Sequence, residues 1–422
     1  MLFVRGIMGY DVKDISLADQ GKMQLEWAET QMGALLEVKK KFEKEKPLKG
    51  HRVGMALHVT KETGILVRTL IAGGAEVAIT GCNPLSTQDD VAAALAKEGV
   101  NVYAKKGESN EEYYEYLNKI IDFKPTATID DGLDLVSELH LKRPDMLDGL
   151  KVGTEETTTG VIRLRAMEKD GALKYPVIAV NDNKTKHLFD NYYGTGQSTL
   201  DGILRASNIL FAGKTVVVIG YGSCGKGVAL RAQGLGSNII VAEVDPVRAL
   251  QAKMDGYRVM TFEEALPFGD VYISVTGDKH VIPKWSFEKM KDGAVLANSG
   301  HFDLEIDVKA LDAMAKAKRR IRWQFDEYTL NNGKKIYLCA EGRLVNLGAA
   351  EGHPSTVMSL SFCGQALALE YGVKNDLEPA LHYLPSSVDD DIAFLQLNAM
   401  GIKIDTLTEE QKAYLGSWKE GT

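Results

Sequence analysis

The chain has 422 residues, too many for one ordinary core, so two or three domains are expected. Its apolar fraction of 45% and charged fraction of 26% fit a globular protein, and a net charge of −8 without a dense Lys/Arg run argues against nucleic acid as a partner. The four cysteines (Cys82, Cys224, Cys339 and Cys363) form no CxxC pair, which predicts reduced thiols, a cytoplasmic location and no metal site. The opening MLFVRGIMGYDVKD has too short an apolar run for a signal peptide, and no segment is long enough to cross a bilayer.

Residues 16–46 read as one helix, with Ser16 as N-cap, Asp19 completing a capping box, and Leu17, Met23, Trp27, Leu35 and Phe42 on the packed face. Pro47 ends it. Short apolar runs at 52–57, 76–80, 101–104 and 127–129 then alternate with helical patterns at 62–72, 89–97 and 110–121. That rhythm predicts an α/β unit with a parallel sheet. Residues 152–180 add a helix and a strand at 176–180, and a helix at 196–207 leads onward.

The stretch 214–245, KTVVVIGYGSCGKGVALRAQGLGSNIIVAEVD, is strand, glycine turn, helix, strand and acid. Gly220 permits the tight turn, Gly222 lets backbone approach a pyrophosphate, and Gly225 lets the helix pack on its strand. The helix N-terminus offers unpaired N–H groups to the phosphates. Glu243, about 20 residues on, accepts ribose hydroxyls and repels a 2′-phosphate, so the expected cofactor is NAD. A helix at 246–254 and strands at 271–275 and 294–297 continue the pattern.

The fold class expected is therefore α/β, with two doubly wound parallel-sheet domains. Residues 1–189 form the first, completed by 350–400 with a helix from His353 onward. Residues 190–349 form the dinucleotide-binding domain, and 401–422 a charged C-terminal oligomerisation tail.

Ligands in such sheets bind at the carboxyl ends of the strands. Polar clusters follow those ends at 58–63, 83–90, 130–132, 155–159, 181–191 and 298–303. Singly, each has a plain structural reading. A strand-end His or Asp is commonly a cap, and Lys186 with Asp190, four apart, could be a solvated ion pair. Together they put His, Asp, Glu and Lys on the rims of two α/β domains, which favours a cleft enzyme.

The segments LHVTKET, CNPLSTQDD, IDDGLDL, EETTTGV, VNDNKTKHLFDN, GYGSCGKG, NSGHFDLEID, EGRLVNL and GHPS together resemble the S-adenosylhomocysteine hydrolase family over nearly the whole chain. The resemblance implies a tightly held NAD and reversible hydrolysis of S-adenosylhomocysteine to adenosine and homocysteine. The route is oxidation at the 3′ carbon, elimination of homocysteine, water addition and re-reduction. By resemblance, Lys186 and Asp190 handle the 3′-hydroxyl proton and Glu156 binds ribose hydroxyls. Asp131, His58 and His301 share proton removal, leaving-group protonation and water addition. Thr60 and Glu62 face the adenine, with His353 near it. Thr157, Thr158, Thr159, Asn191, Thr276 and Asn346 hold NAD beside Gly220, Gly222, Ser223, Cys224, Gly225 and Glu243.

The family also implies a homotetramer. Members that prefer the inosyl substrate make that an alternative, and an ordinary NAD-dependent dehydrogenase is a more distant one. Three positions depart from the familiar pattern: Thr195 replaces a cysteine, Asp90 replaces a histidine, and the tail stops at Thr422, short of an extension that reaches a neighbour's NAD. The resting charge of Lys186 stays open. Asp190 pushes its pKa up from about 10.4, whereas burial and a nicotinamide cation push it down.

Overall fold

The computed structural model describes residues 9–419; the opening apolar run at 1–8 and the last three tail residues lie outside it. Two eight-stranded sheets organise the chain. Across the first, the strands run Tyr10–Val12, Asn101–Ala104, Glu76–Thr80, Arg52–Ala56, Ala127–Asp130, Val152–Glu155, Val177–Ala179 and Leu381–His382. All pairings are parallel.

The strands are short and apolar because both faces are covered. Leu25, Leu35, Ile65, Val91 and Leu360 come from helices on one face, and Leu117, Leu135 and Val161 from helices on the other. Full burial of a side chain such as Leu25 or Phe42 is worth about 1.5–3 kcal/mol. The long helix Ser355–Lys374 returns from the far end of the chain to pack on this first sheet.

The second sheet runs Arg258–Val259, Asn238–Ala242, Thr215–Ile219, Val271–Ser274, Ala294–Asn298 and Lys335–Cys339, then Phe325–Leu330 and Ala315–Arg322. Its first six strands are parallel and follow the doubly wound dinucleotide-binding order. The last two pair antiparallel at one edge. This addition was not legible in the sequence, because the basic run AKAKRRIR shows no apolar alternation.

Several local expectations are corrected. The helix expected at 16–46 is two helices, Ala18–Gln31 and Gly33–Glu45, broken at Met32 (φ −108°, ψ 47°). Asp14, not Ser16, caps the entry: its side chain accepts from the Ser16 backbone N–H at 2.9 Å. Leu35 and Phe42 are buried, but Met23 and Trp27 are 62% and 59% exposed. The inward stripe is instead Ala18, Gly21, Leu25 and Ala28. Its small residues permit close approach, since a Cβ on Gly21 would lie 1.8 Å from the Asp90 carbonyl oxygen.

Asp90 thereby serves a helix–helix contact at the start of Asp89–Lys97. The helix expected from His353 begins at Ser355, with Pro354 as N-cap and His353 ahead of it. In the tail, a Thr408/Gln411 capping box starts the exposed helix Glu409–Leu415. No helix among the described residues is long and apolar enough to cross a membrane.

Candidate active site

Each sheet has a switch point where the chain reverses its direction of strand addition. In the first sheet it lies between Arg52–Ala56 and Ala127–Asp130, and in the second between Thr215–Ile219 and Val271–Ser274. His58 and Asp131 follow the first pair, and Gly220 and Thr276 the second. Both sets line one cavity of about 970 Å³. Of the residues given catalytic, substrate or cofactor roles in the sequence, Gly225 alone does not line it. Gly225 acts behind the turn, where a Cβ would stand 2.0 Å from the Gly220 carbonyl oxygen.

At the first switch point, His58 Nε2 is 3.4 Å from Asp131 Oδ2 and His301 Nδ1 is 3.5 Å from Asp131 Oδ1. His301 belongs to the loop after Ala294–Asn298. It reaches Asp131 only because residue 132 is glycine: a Cβ there would lie 2.3 Å from His301 Nε2. Burial pushes His58 down to about 4 despite the opposing pull of Asp131, so it is neutral at pH 7. Its Nδ1 is 2.8 Å from Ser86 Oγ. The Ser86 hydroxyl has one proton to donate, to His58 or to the Asn83 carbonyl oxygen at 2.9 Å. Donating it to His58 puts the ring proton on Nε2, facing Asp131.

A second cluster lies beside the first. Lys186 Nζ donates to Asp190 Oδ2 at 2.6 Å and Asn191 Oδ1 at 2.8 Å, and lies 3.7 Å from Glu156 Oε1. Lys186, Asp190 and Glu156 are buried. Burial alone would lower the Lys186 pKa, but Asp190 and Glu156 outweigh it and hold it above the usual lysine range. Among the protein's own groups the balance therefore favours the Lys186 ammonium.

Burial also opposes ionisation of Asp190, yet Lys186 and His353 hold it well below the usual carboxylate range. Glu156 goes the other way: burial pushes it up to about 7, only partly offset by Lys186. Ser361 and Gln365, both on the returning helix, donate to its two oxygens. His353, expected near the base, pairs through Nδ1 with Asp190 and has Nε2 3.2 Å from Thr195 Oγ1. Thr195 thus fills the family's cysteine position with a hydroxyl between His353 and Cys224, whose Sγ is 3.6 Å away.

The second switch point fits a dinucleotide. Gly220 has φ +102°, where a side chain is strained, and the helix Ser223–Gly234 begins at the turn with its N–H groups exposed to a phosphate. Glu243 follows the strand Asn238–Ala242 and accepts from the backbone N–H groups of Tyr221, Val244 and Asp245, which fixes its carboxylate at the cavity wall. Thr276 and Gly277 are held by Glu305, which accepts from both backbone N–H groups. Thr158 donates to Asn181, Thr157 and Thr159 line the same wall, and Asn346 donates to Ser198 at 3.2 Å. The buried Asn346 Oδ1 has no partner in the protein, as a residue reserved for an amide N–H of a ligand would.

Sequence reasoning missed the supporting groups Ser86, Ser361, Gln365 and Cys82. The last lies 3.1 Å from His58 Nδ1 and 3.7 Å from Asp131 Oδ2. Only the CNPLSTQDD segment bore any trace of them. The ligand atoms of His58, Cys82 and Asp131 fall within 4.8 Å of one another, a metal-ligand spacing that no CxxC pair announced.

Fold and site together define an α/β enzyme in which a dinucleotide cradle and an acid–base cluster share one cavity. The family model described as S-adenosyl-L-homocysteine hydrolase, NAD binding domain, matches residues 191–352, and that described as S-adenosyl-L-homocysteine hydrolase matches residues 9–148. The chain is 59% identical to the S-inosyl-L-homocysteine hydrolase of Methanocaldococcus jannaschii, covering 98% of this chain and 100% of that one. It is 58% identical to the adenosylhomocysteinase of Aquifex aeolicus, with the same coverage. To the adenosylhomocysteinase of Pyrobaculum aerophilum it is 56% identical, over 97% of this chain and 99% of that one. The chain belongs to the S-adenosyl-L-homocysteine hydrolase family, and its second unit is that family's NAD-binding domain.

Proposed function

We propose that the chain catalyses the reversible hydrolysis of S-adenosyl-L-homocysteine to adenosine and L-homocysteine. The observation that carries the base preference is the state of Glu62. Its Oε1 accepts from Ser355 Oγ at 2.6 Å and lies 3.3 Å from Lys61 Nζ, which leaves Oε2 free at the cavity wall. A carboxylate accepts from the exocyclic amine of adenine, whereas hypoxanthine presents a carbonyl oxygen there, lone pair to lone pair. Lys61, which could serve such a carbonyl, does not line the cavity. The inosyl substrate is the second reading, because a relative of that name is as similar as the adenosyl ones.

The decisive experiment mixes the protein with homocysteine and either adenosine or inosine, and measures the thioether formed. Adenosine is expected to win by about 100-fold or more in kcat/KM. Comparable rates, or a preference for inosine, transfer the conclusion to the inosyl reading. No thioether from either nucleoside overturns both.

Bound NAD supplies a reversible hydride acceptor for the 3′ carbon. Thr157–Thr159, Asn191, Gly220–Gly225, Glu243, Thr276 and Asn346 are the residues that would hold it. The Lys186 ammonium donates to the 3′ oxygen and stabilises the negative charge that develops on it. With Lys186 charged and Asp190 held strongly acidic, Glu156 is the group poised to take the 3′-hydroxyl proton. Asp131 takes the proton from the 4′ carbon. His58 and His301, one on each Asp131 oxygen, pass a proton to the departing sulfur and take one from the incoming water. An ordinary dehydrogenase needs no such second acid–base set.

This assignment fixes the sign of a pH effect. Glu156 accepts a proton only when ionised, and with its pKa near 7 it is about one-tenth ionised at pH 6 and about nine-tenths at pH 8. Activity should therefore rise through neutrality, and Glu156→Gln should remove that limb along with most of kcat. A flat wild-type profile between pH 6 and 8 would reassign the base.

For the assembly, we propose a homotetramer. Val244, Val247, Leu250 and Met254 leave an apolar face exposed on and beside the helix Pro246–Met254, and Trp418 is exposed in the tail.

A further inference from the structure

The two catalytic acids are each preceded by another acid, in Asp130-Asp131 and Glu155-Glu156. Asp130 and Glu155 are register partners on adjacent parallel strands. Side chains alternate along a strand, so the outer acids of each pair enter the cavity while Asp130 and Glu155 turn away from it. Neither inner acid lines the cavity. We propose that Glu155 is a positioning residue that holds Asp131 and Glu156 in mutual register, one shared oxygen tying together the two loops that carry them.

The geometry is direct. Glu155 Oε1 accepts from the Gly132 backbone N–H at 2.9 Å and from the Thr157 backbone N–H at 3.0 Å. Gly132 follows Asp131, and Thr157 follows Glu156. The Asp131 turn needs such a tether, because Gly132 (φ +103°) and the buried Leu133 (φ +74°) are both left-handed, and a bulky residue persists there only when its surroundings over-determine it. Asp130 accepts from the Asp131 and Val136 backbone N–H groups, and the Arg163 guanidinium donates to the Gly132 carbonyl oxygen.

Glu155 Oε2 is buried without a partner. Burial, with Asp130 and Asp131 nearby, pushes the carboxyl well above its ordinary range. The tether works through one oxygen, Oε1, that accepts two hydrogen bonds, a role the carbonyl oxygen of an amide can also fill. Gly160 leaves room for it, since a Cβ there would stand 2.1–2.5 Å from the Glu155 carboxyl atoms.

That close approach supplies a test that leaves both catalytic acids and Glu155 itself in place. Gly160→Ala favours its helix but pushes the Glu155 carboxyl off its two N–H groups. It should lower kcat at least tenfold while moving KM for adenosine less. Glu155→Gln keeps the acceptor and should stay within about threefold of wild-type kcat. A packing role alone would lower the thermal midpoint and leave kcat per folded site intact. Should Gly160→Ala not fold, Glu155→Asp, one methylene too short to reach both N–H groups, carries the same expectation.

Wild-type kcat in the folded displaced variant, or a loss in Glu155→Gln as large as in that variant, overturns the proposal. The proposal rests on the acid–base roles assigned above, and the two fail separately: a wild-type protein inactive with both nucleosides removes those roles, whereas an active wild type matched by its variants removes only the tether.

Discussion

Lys186→Ala is expected to lower kcat by about 10³–10⁴-fold while the purified protein still carries NAD. The ammonium donates to Asp190 and Asn191 from within a buried cluster and faces Glu156 at 3.7 Å. Its loss removes the donor to the 3′ oxygen. It also leaves two buried carboxylates without their cation, and breaking a buried pair in this way costs about 3–5 kcal/mol. Asp190 and Glu156 would respond by taking up protons, so the variant should lose thermal stability most at alkaline pH, where protons are scarce. Turnover, bound nicotinamide and the thermal midpoint check the three parts separately. Unchanged turnover would remove Lys186 as the donor that stabilises the 3′ oxygen.

Asp131→Asn should divide the reaction at its middle. An amide cannot accept the 4′ proton, so overall turnover is expected to fall by about 10²–10⁴-fold. The first oxidation depends on the Lys186, Asp190 and Glu156 cluster and should survive. Mixing the variant with adenosine should therefore produce a reduced-nicotinamide signal at near wild-type rate, without formation of thioether when homocysteine is added. Loss of that signal together with turnover would assign Asp131 to the first oxidation step. His58 and His301 contact opposite oxygens of Asp131, so each of their alanine variants should show a milder version of the same division.

Much of the candidate site was legible in the sequence because strand ends are where such sheets bind ligands, and each residue proposed for catalysis sits close to an apolar run. The dinucleotide turn was legible for the same reason: a glycine fingerprint is local chemistry on a strand–turn–helix unit. The inward face of the first helix was not, because it is set by close approach of Gly21 to the Asp90 carbonyl oxygen and not by the largest apolar residues. The antiparallel edge Ala315–Arg322 was hidden because an exposed edge strand needs no apolar alternation.

By itself, then, the sequence determined the alternating α/β layout and the NAD cradle at Gly220–Glu243, since both depend on short-range patterns of residue type, and it placed the candidate acid–base residues at strand ends, their proposed roles coming from the family resemblance. Tertiary structure alone decided their charge states and partners. Glu155 reaches across from one strand end to steady the Asp131 turn on the next. Ser361 and Gln365 arrive from some 200 positions away to hold Glu156. Asp190 and Glu156 outweigh burial and keep Lys186 protonated. Proton affinity depends on desolvation and on charges within a few ångströms, and those neighbours are assembled only when the two sheets and the returning helix close around one cavity.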